Sequence, residues 1–343
     1  MERLTHLPSP LGKTREEILH LLLEEEYGFL PPKPLKTTVH EIEADERFGG
    51  GKAILKTLEM SLHTKNGPFS FPLYYAAPST QGPFPLIIHI NFRPDVPDLF
   101  MPSEELTDNG YAVLSFGYET ITSDNDDFTS GLAGVVFRDG HSADNCGKIA
   151  LWAWTCLCVF DYAMTLPEIR KDRISLAGHS RLGKTVLLAG ALEPRVSCIF
   201  ANASGTSGAA LFRGNRKERL RILADVRPYW FTGAYQKYAD NEDSLPFDQH
   251  FLLAANAPHR VFLTSAIDDE WSDYESEYVS AIAADLYYEA AGLPGFVHPD
   301  RKIEAGEFLG DGSIGMFVRP GRHFLSRDDW HAFMSFEKSD PVH

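Results

Sequence analysis

Between residues 173 and 192 the chain leaves an apolar strand, passes through Gly-x-Ser and enters an apolar helix with no loop between them. The strand is Arg173-Ile174-Ser175-Leu176-Ala177, the turn Gly178-His179-Ser180, and the helix spans 182–192. A short continuous apolar run of this kind marks a strand buried on both faces, as in parallel sheets. The turn it feeds is sharp. A serine there is held in a strained conformation, with its hydroxyl projecting above the carboxyl edge of the sheet. Gly178 leaves room for the close backbone approach that such a turn requires. The start of the following helix presents N–H groups and a positive dipole end to a developing oxyanion. The second glycine of Gly-x-Ser-x-Gly is displaced by one position, with Leu182 in its place and Gly183 next.

The rest of the chain fits a sheet built around that strand. Further apolar runs lie at 86–90, 111–116, 198–201, 261–264 and 314–318, and 149–164 reads as a long apolar helix. Strands alternating with helices predict a mostly parallel sheet with helices on both faces. Upstream, runs at 37–44, 53–63 and 69–75 are joined by Asn66-Gly67, a hairpin signal, which predicts antiparallel strands at the entry to the sheet. Thr14 and Glu17 have capping-box spacing and predict a helix over 15–27, ended by Pro31, Pro32 and Pro34. The expected organisation is a helix and proline-rich lead-in over 1–36, then one α/β domain over 37–343. That domain carries a helical, aromatic-rich insertion at 204–258, ahead of the penultimate strand.

A serine hydroxyl needs a base to take its proton. In the α/β-hydrolase fold, which this pattern predicts, the partners follow in the order Ser, Asp/Glu, His. The histidine belongs after the last strand, where Pro320-Gly321 turns into Arg322-His323. His323 is therefore the expected base, ahead of His331, His298 and His179. The acid belongs after the preceding strand, in Ile267-Asp268-Asp269-Glu270-Trp271-Ser272-Asp273. Asp269 is the expected acid, with Asp268 next and Asp273 behind.

Composition excludes other classes. Lys+Arg is 32 against Asp+Glu 48, a formal net charge of −16, so a polyanion such as nucleic acid is repelled. No segment reaches the roughly 20 apolar residues that cross a bilayer, so no membrane span is expected. Cys146, Cys156, Cys158 and Cys198 form neither a disulfide framework nor a zinc pattern, and no metal or cofactor is expected. The opening residues Met1-Glu2-Arg3-Leu4-Thr5-His6 lack an apolar signal core, which makes the cytoplasm the expected location.

Gly178-His179-Ser180-Arg181-Leu182-Gly183-Lys184 resembles the Gly-Cys-Ser-Arg-x-Gly-Lys elbow of glucuronoyl esterases, carbohydrate esterase family 15. Further likenesses follow in order: Trp152-Ala153-Trp154, Pro246-Phe247-Asp248-Gln249-His250, Ala257-Pro258-His259-Arg260, Asp269-x-Trp271 and Arg319-x-Gly321-x-His323. Together they cover the chain from about residue 86 onward. The resemblance implies hydrolysis of an ester between a glucuronic acid branch of xylan and a lignin alcohol. It implies that Arg181 helps hold the oxyanion, that Lys184 bonds a sugar hydroxyl and that Trp271 borders the sugar. Two positions depart from the family pattern. Ala203 stands where many members carry a catalytic glutamate, and His179 replaces the cysteine before the nucleophile. The expected partner is thus a small or oligosaccharide ester, cleaved through an acyl-enzyme. The rival readings are an acetyl esterase, including acetyl xylan, a general small acyl esterase, and a binding protein that kept the fold. The sequence leaves oligomeric state open.

Overall fold

The apolar runs become the middle of a ten-stranded sheet in the computed structural model, which describes Leu4 and residues 6–339. The expectations drawn from the extreme N-terminus, and the outermost limits of the two expected segments, lie outside the described residues. The strands are β1 (Lys36–Asp45), β2 (Ala53–Thr64), β3 (Gly67–Pro78), β4 (Phe84–Asn91), β5 (Ala112–Gly117), β6 (Ile169–His179), β7 (Cys198–Asn202), β8 (Arg260–Ala266), β9 (Glu307–Leu309) and β10 (Ile314–Arg319). Their spatial order is β1-β2-β3-β5-β4-β6-β7-β8-β10-β9. β5, β4, β6, β7, β8 and β10 pair in parallel, while β1, β2 and β3 enter antiparallel.

Side chains alternate between two cores, as the strand period of two requires. Ile88, Leu176, Ile199 and Val261 face the larger one, which also takes up the helices Lys148–Ala163 and Arg181–Leu192. Ile87, Ala177, Phe200 and Phe262 face the smaller one, closed by the helix Arg327–Lys338. There Phe333 stacks on Phe200 at 4.7 Å. The helix Lys148–Ala163 is buried almost all round, including Trp152 and Trp154, so those family-like tryptophans are core residues. Each large apolar side chain buried in this way stabilises the fold by about 1.5–3 kcal/mol.

Two expectations need correction. The short strand β9 pairs antiparallel with β10 and was not expected, because three residues are too few to show a period. The insertion therefore precedes the third strand from the end, β8, rather than the penultimate one. Its regular parts are the helices Leu220–Val226 and His250–Ala255 and three 3-10 turns. Asp248 ties it down by accepting from the N–H groups of Phe212 and Arg213 at 2.8 and 3.1 Å, so the Pro-Phe-Asp stretch is a structural clamp. The lead-in packs into the same core: the helix Arg15–Leu22 has the expected capping box and buries Ile18 and Leu22, and Tyr27 follows them inside. Among the described residues no helix is long and apolar enough to cross a membrane.

Candidate active site

Three loops at the carboxyl ends of β6, β8 and β10 build the site. At the first, Ser180 has φ 57° and ψ −127°, a conformation that non-glycine residues rarely adopt. Its N–H donates to the carbonyl of Asn202 on β7 at 2.8 Å, which fixes the turn against the sheet. A Cβ on Gly178 would lie 2.2 Å from the carbonyl oxygen of Leu182, so the strand and the helix meet too closely for any other residue. A Cβ on Gly183 would touch that of Ser204 at 3.0 Å. The displaced glycine thus lets the nucleophile helix pack against the loop after β7. Arg181 is the first residue of that helix, where backbone N–H groups have no intrahelical acceptor.

β8 and β10 are neighbours in register, with Ala266 beside Arg319. The loops beyond them stay together: Ile267 N–H donates to the carbonyl of Arg319 and Asp268 N–H to that of Gly321, both at 3.0 Å. This register brings Asp269 to His323, with Oδ2 2.7 Å from Nδ1. Asp269 is 1% exposed and also accepts from the N–H groups of Trp271 and Ser272 and from the Ser272 hydroxyl. Burial pushes its carboxyl up, but the bond and charge of His323 and the donors of Ser272 and Trp271 outweigh that and hold it at about 2. Asp268 uses its backbone in the loop pairing, and Asp273 caps the helix Tyr274–Ala290 by accepting from Ser276 N–H.

Arg319 explains its own place in the motif. Its buried guanidinium pairs with Asp329 at 2.8 Å and donates to the carbonyls of Pro320, Arg322 and Phe324, wrapping the turn that carries His323. Of the other histidines, His331 pairs with Glu105, and His298 lies against the Pro299 carbonyl. His179 is buried against Asn202, Phe100 and the His323 ring, 4.6 Å away. Burial, with the His323 charge adding, pushes it down to about 3, so it packs as a neutral ring.

Ser180 and His323 line one cavity of about 320 Å³. No hydrogen bond joins the Ser180 hydroxyl to the ring among the described residues, and such bonds are often long until substrate is in place. A wider cleft of 710 Å³ lined by Arg93, Asp98 and Glu105 has no serine, threonine, cysteine or histidine, and the chemistry points to the smaller cavity. Trp271 stands at its rim, 63% exposed, which rules out a core role. The opposite wall is the insertion, with Glu218, Ile222, Val226, Arg227 and Trp230. Lys184 is placed differently from what the family resemblance implies. It is buried, and its ammonium donates to the carbonyls of Ser204 and Thr206 and to Glu218 at 2.9 Å. Those three acceptors use all its donors, so Glu218 rather than Lys184 faces the cavity.

Two participants were missed from the sequence, Asp124 and Glu218, while Trp230 belongs to the aromatic-rich insertion and lines the cavity. Arg181 pairs with Asp124, which also accepts from Trp230 Nε1 at 2.7 Å and, at its backbone carbonyl, from the Tyr229 hydroxyl at 2.8 Å. The guanidinium lies over Trp230, Phe92 and Tyr118 at 5.0, 5.4 and 5.9 Å. Asp124 lies 57 residues before Arg181 in an acidic loop that reads as solvated, and no local pattern singles it out. Among the described residues no group of three or more His, Cys, Asp or Glu is placed to hold a metal. The geometry can activate a hydroxyl, receive an oxyanion and return a proton to a leaving group.

Comparison with known proteins converges on one family. Residues 60–292 match the family described as fungal glucuronyl esterase. A carbohydrate esterase from an unknown prokaryotic organism is 34% identical over 236 residues, which is 68% of this chain and 54% of that protein. A 4-O-methyl-glucuronoyl methylesterase of Schizophyllum commune is 29% identical, covering 82% of this chain and 68% of its own. The chain thus spans about half to two thirds of the length of these relatives. The solved glucuronoyl esterase of Solibacter usitatus superposes with a TM-score of 0.87 at 29% identity, over 95% of this chain and 92% of that one. A family 15 glucuronoyl esterase from Teredinibacter turnerae superposes at 0.88 with 25% identity, over 98% and 89%.

Proposed function

This chain belongs to the glucuronoyl esterase family, and from that premise we propose that it is a serine ester hydrolase acting on a carbohydrate ester of the glucuronoyl type. The observation that carries the reading is the Asp269–His323 bond of 2.7 Å, made by the ring that lines the same cavity as Ser180 at its strained elbow. His323 takes the proton from Ser180 as Oγ attacks the ester carbonyl. Asp269, ionised at working pH, keeps the proton on Nδ1 so that Nε2 is free to act, and stabilises the imidazolium that forms. The Arg181 N–H and the guanidinium that Asp124 holds beside it receive the oxyanion, an interaction strongest when the charge has developed. His323 then protonates the leaving alcohol, and water repeats the cycle on the acyl-enzyme.

The relatives named as 4-O-methyl-glucuronoyl methylesterases support a uronate as the acyl part. Trp271 offers its face to the apolar side of the sugar ring, and Glu218 offers acceptors to its hydroxyls. The test is hydrolysis of methyl and benzyl glucuronate by the wild type and Ser180→Ala, with acetylated xylo-oligosaccharide and nitrophenyl acetate alongside. Serine-dependent turnover of the glucuronate esters is expected. Turnover of the acetyl substrates alone would keep the mechanism and discard the uronate.

A further inference from the structure

The charges around the Ser180 cavity are paired, with one exception. Arg181 has Asp124, Lys184 has Glu218 and His323 has Asp269. Arg227, in the insertion wall of the same cavity, forms no ion pair among the described residues; its guanidinium donates only to the backbone carbonyl of Val226, at 3.2 Å. It is held over the Trp230 ring at 5.6 Å, the same ring that Arg181 and Lys184 approach at 5.0 and 5.9 Å. Its charge reaches both Arg181 and Tyr118. Glu119 acts on the same two groups, yet makes no ion pair with Arg227. By contrast Arg221, six residues earlier in the helix Leu220–Val226, is tied to Asp225 and Asp240 at 2.7 and 2.9 Å.

A chain with a surplus of 16 acidic groups has many carboxylates to offer an arginine, and at this cavity it withholds one. A guanidinium fixed on an indole face keeps its forked donors directed outward and loses little freedom when it binds. We infer that Arg227 and Trp230 form a subsite for an anionic substituent on the acyl part of the ester, so that the enzyme prefers an acid-bearing uronate ester to its neutral counterpart. The inference rests on the proposed esterase reading for its substrate, but the subsite itself requires only that Ser180 accept an ester. A carboxylate there meets a pre-placed cation in a partly desolvated wall, and a charge-assisted, forked bond is the arrangement that selects it.

Two matched substrate pairs test it by kcat/KM. The first is methyl glucuronate carrying a methyl ether or a carboxymethyl ether, with the ether at O2, O3 or O4 in turn. The second is nitrophenyl pentanoate against nitrophenyl hemiglutarate, which differ only in a terminal methyl or carboxylate. Wild type is expected to favour the acid member about tenfold at one ether position and in the nitrophenyl pair, less so at high salt. Arg227→Gln brings the ratio to about one, Arg227→Glu inverts it, and Arg221→Gln keeps it. An Arg227-dependent preference in the nitrophenyl pair with no turnover of glucuronates would sustain the subsite and sink the uronate reading. Turnover of glucuronates with no Arg227-dependent preference in either pair would do the reverse, and absence of that preference in both pairs overturns the inference whatever else is hydrolysed.

Discussion

The two walls of the cavity are built in different ways. On one side, Ser180, Asp269 and His323 each follow a strand of the parallel sheet by a few residues, and backbone bonds between adjacent loops hold them in register. On the other, Glu218, Arg227 and Trp230 come from an irregular insertion held by side chains that reach across the chain: Asp124 to Trp230, Lys184 to Glu218, Asp248 to Phe212. The first wall does chemistry on a rigid frame. The second wall has its position set by buried polar pairs. Changes in the first should therefore cost rate with little stability, and changes in the second should cost stability or selectivity along with rate.

The largest expected effect is chemical. Asp269→Asn keeps the shape of a buried side chain but removes the charge that fixes the tautomer of His323, and kcat should fall by about 10²–10⁴ in a steady-state assay. Asp268→Asn should stay within about twofold by the same steady-state assay. Equal losses in the two variants would break the distinction between neighbouring carboxylates. Lys184→Met probes the second wall. It leaves the carbonyls of Ser204 and Thr206 without that donor and the partly buried Glu218 without its cation, holding only the Thr206 N–H and hydroxyl, and denaturant unfolding should show a loss of about 3–5 kcal/mol. A variant that folds normally and loses only substrate affinity would instead make Lys184 a sugar ligand.

Asp124→Asn lies between the two walls. Arg181 would lose its ion partner while keeping its aromatic neighbours, and kcat should drop by about 10- to 100-fold, with KM changed much less. An equal fall in kcat and rise in KM would move Arg181 from the oxyanion to ground-state binding. The last effect is on pH-dependent stability rather than on rate. Glu277 is buried beneath the junction of the walls, bonded to Ser265, Ser204 and the Gly205 N–H. Burial, opposed by those bonds and reinforced by the charge of Asp269, raises its carboxyl from 4.5 to about 7. The folded protein then keeps a proton that the unfolded chain gives up, so this group lowers stability as pH rises from about 4.5 to about 7, by about 1.4 kcal/mol per pH unit. Glu26, buried and also raised to about 7, acts in the same direction. Buried His179 and His89, both held down at about 3, act in the opposite direction, so the test is a difference: the unfolding free energy of Glu277→Gln, relative to wild type, should rise between pH 5 and 7.

What the sequence determined by itself was local. The strand–turn–helix around Ser180 is legible because its apolar period and its glycine lie within a dozen residues. The turn at Pro320-Gly321 before His323 is legible for the same reason, and so is the carboxylate-rich loop after the 261–264 run. That the sheet is mostly parallel follows from apolar runs alternating with helices; that β5 lies outside β4 does not. The tertiary structure alone decided which carboxylate meets the ring, since Asp268 and Asp269 are equivalent in any local pattern until β8 and β10 are in register. It alone brought Asp124 to Arg181 and filled the donors of Lys184 from within. It alone left Arg227 unpaired among the described residues beside the nucleophile. Periodicity and turn chemistry act over a few residues and are written in the order of the chain. Pairing of buried charges acts through space between residues tens of positions apart, and exists only once the chain has closed on itself.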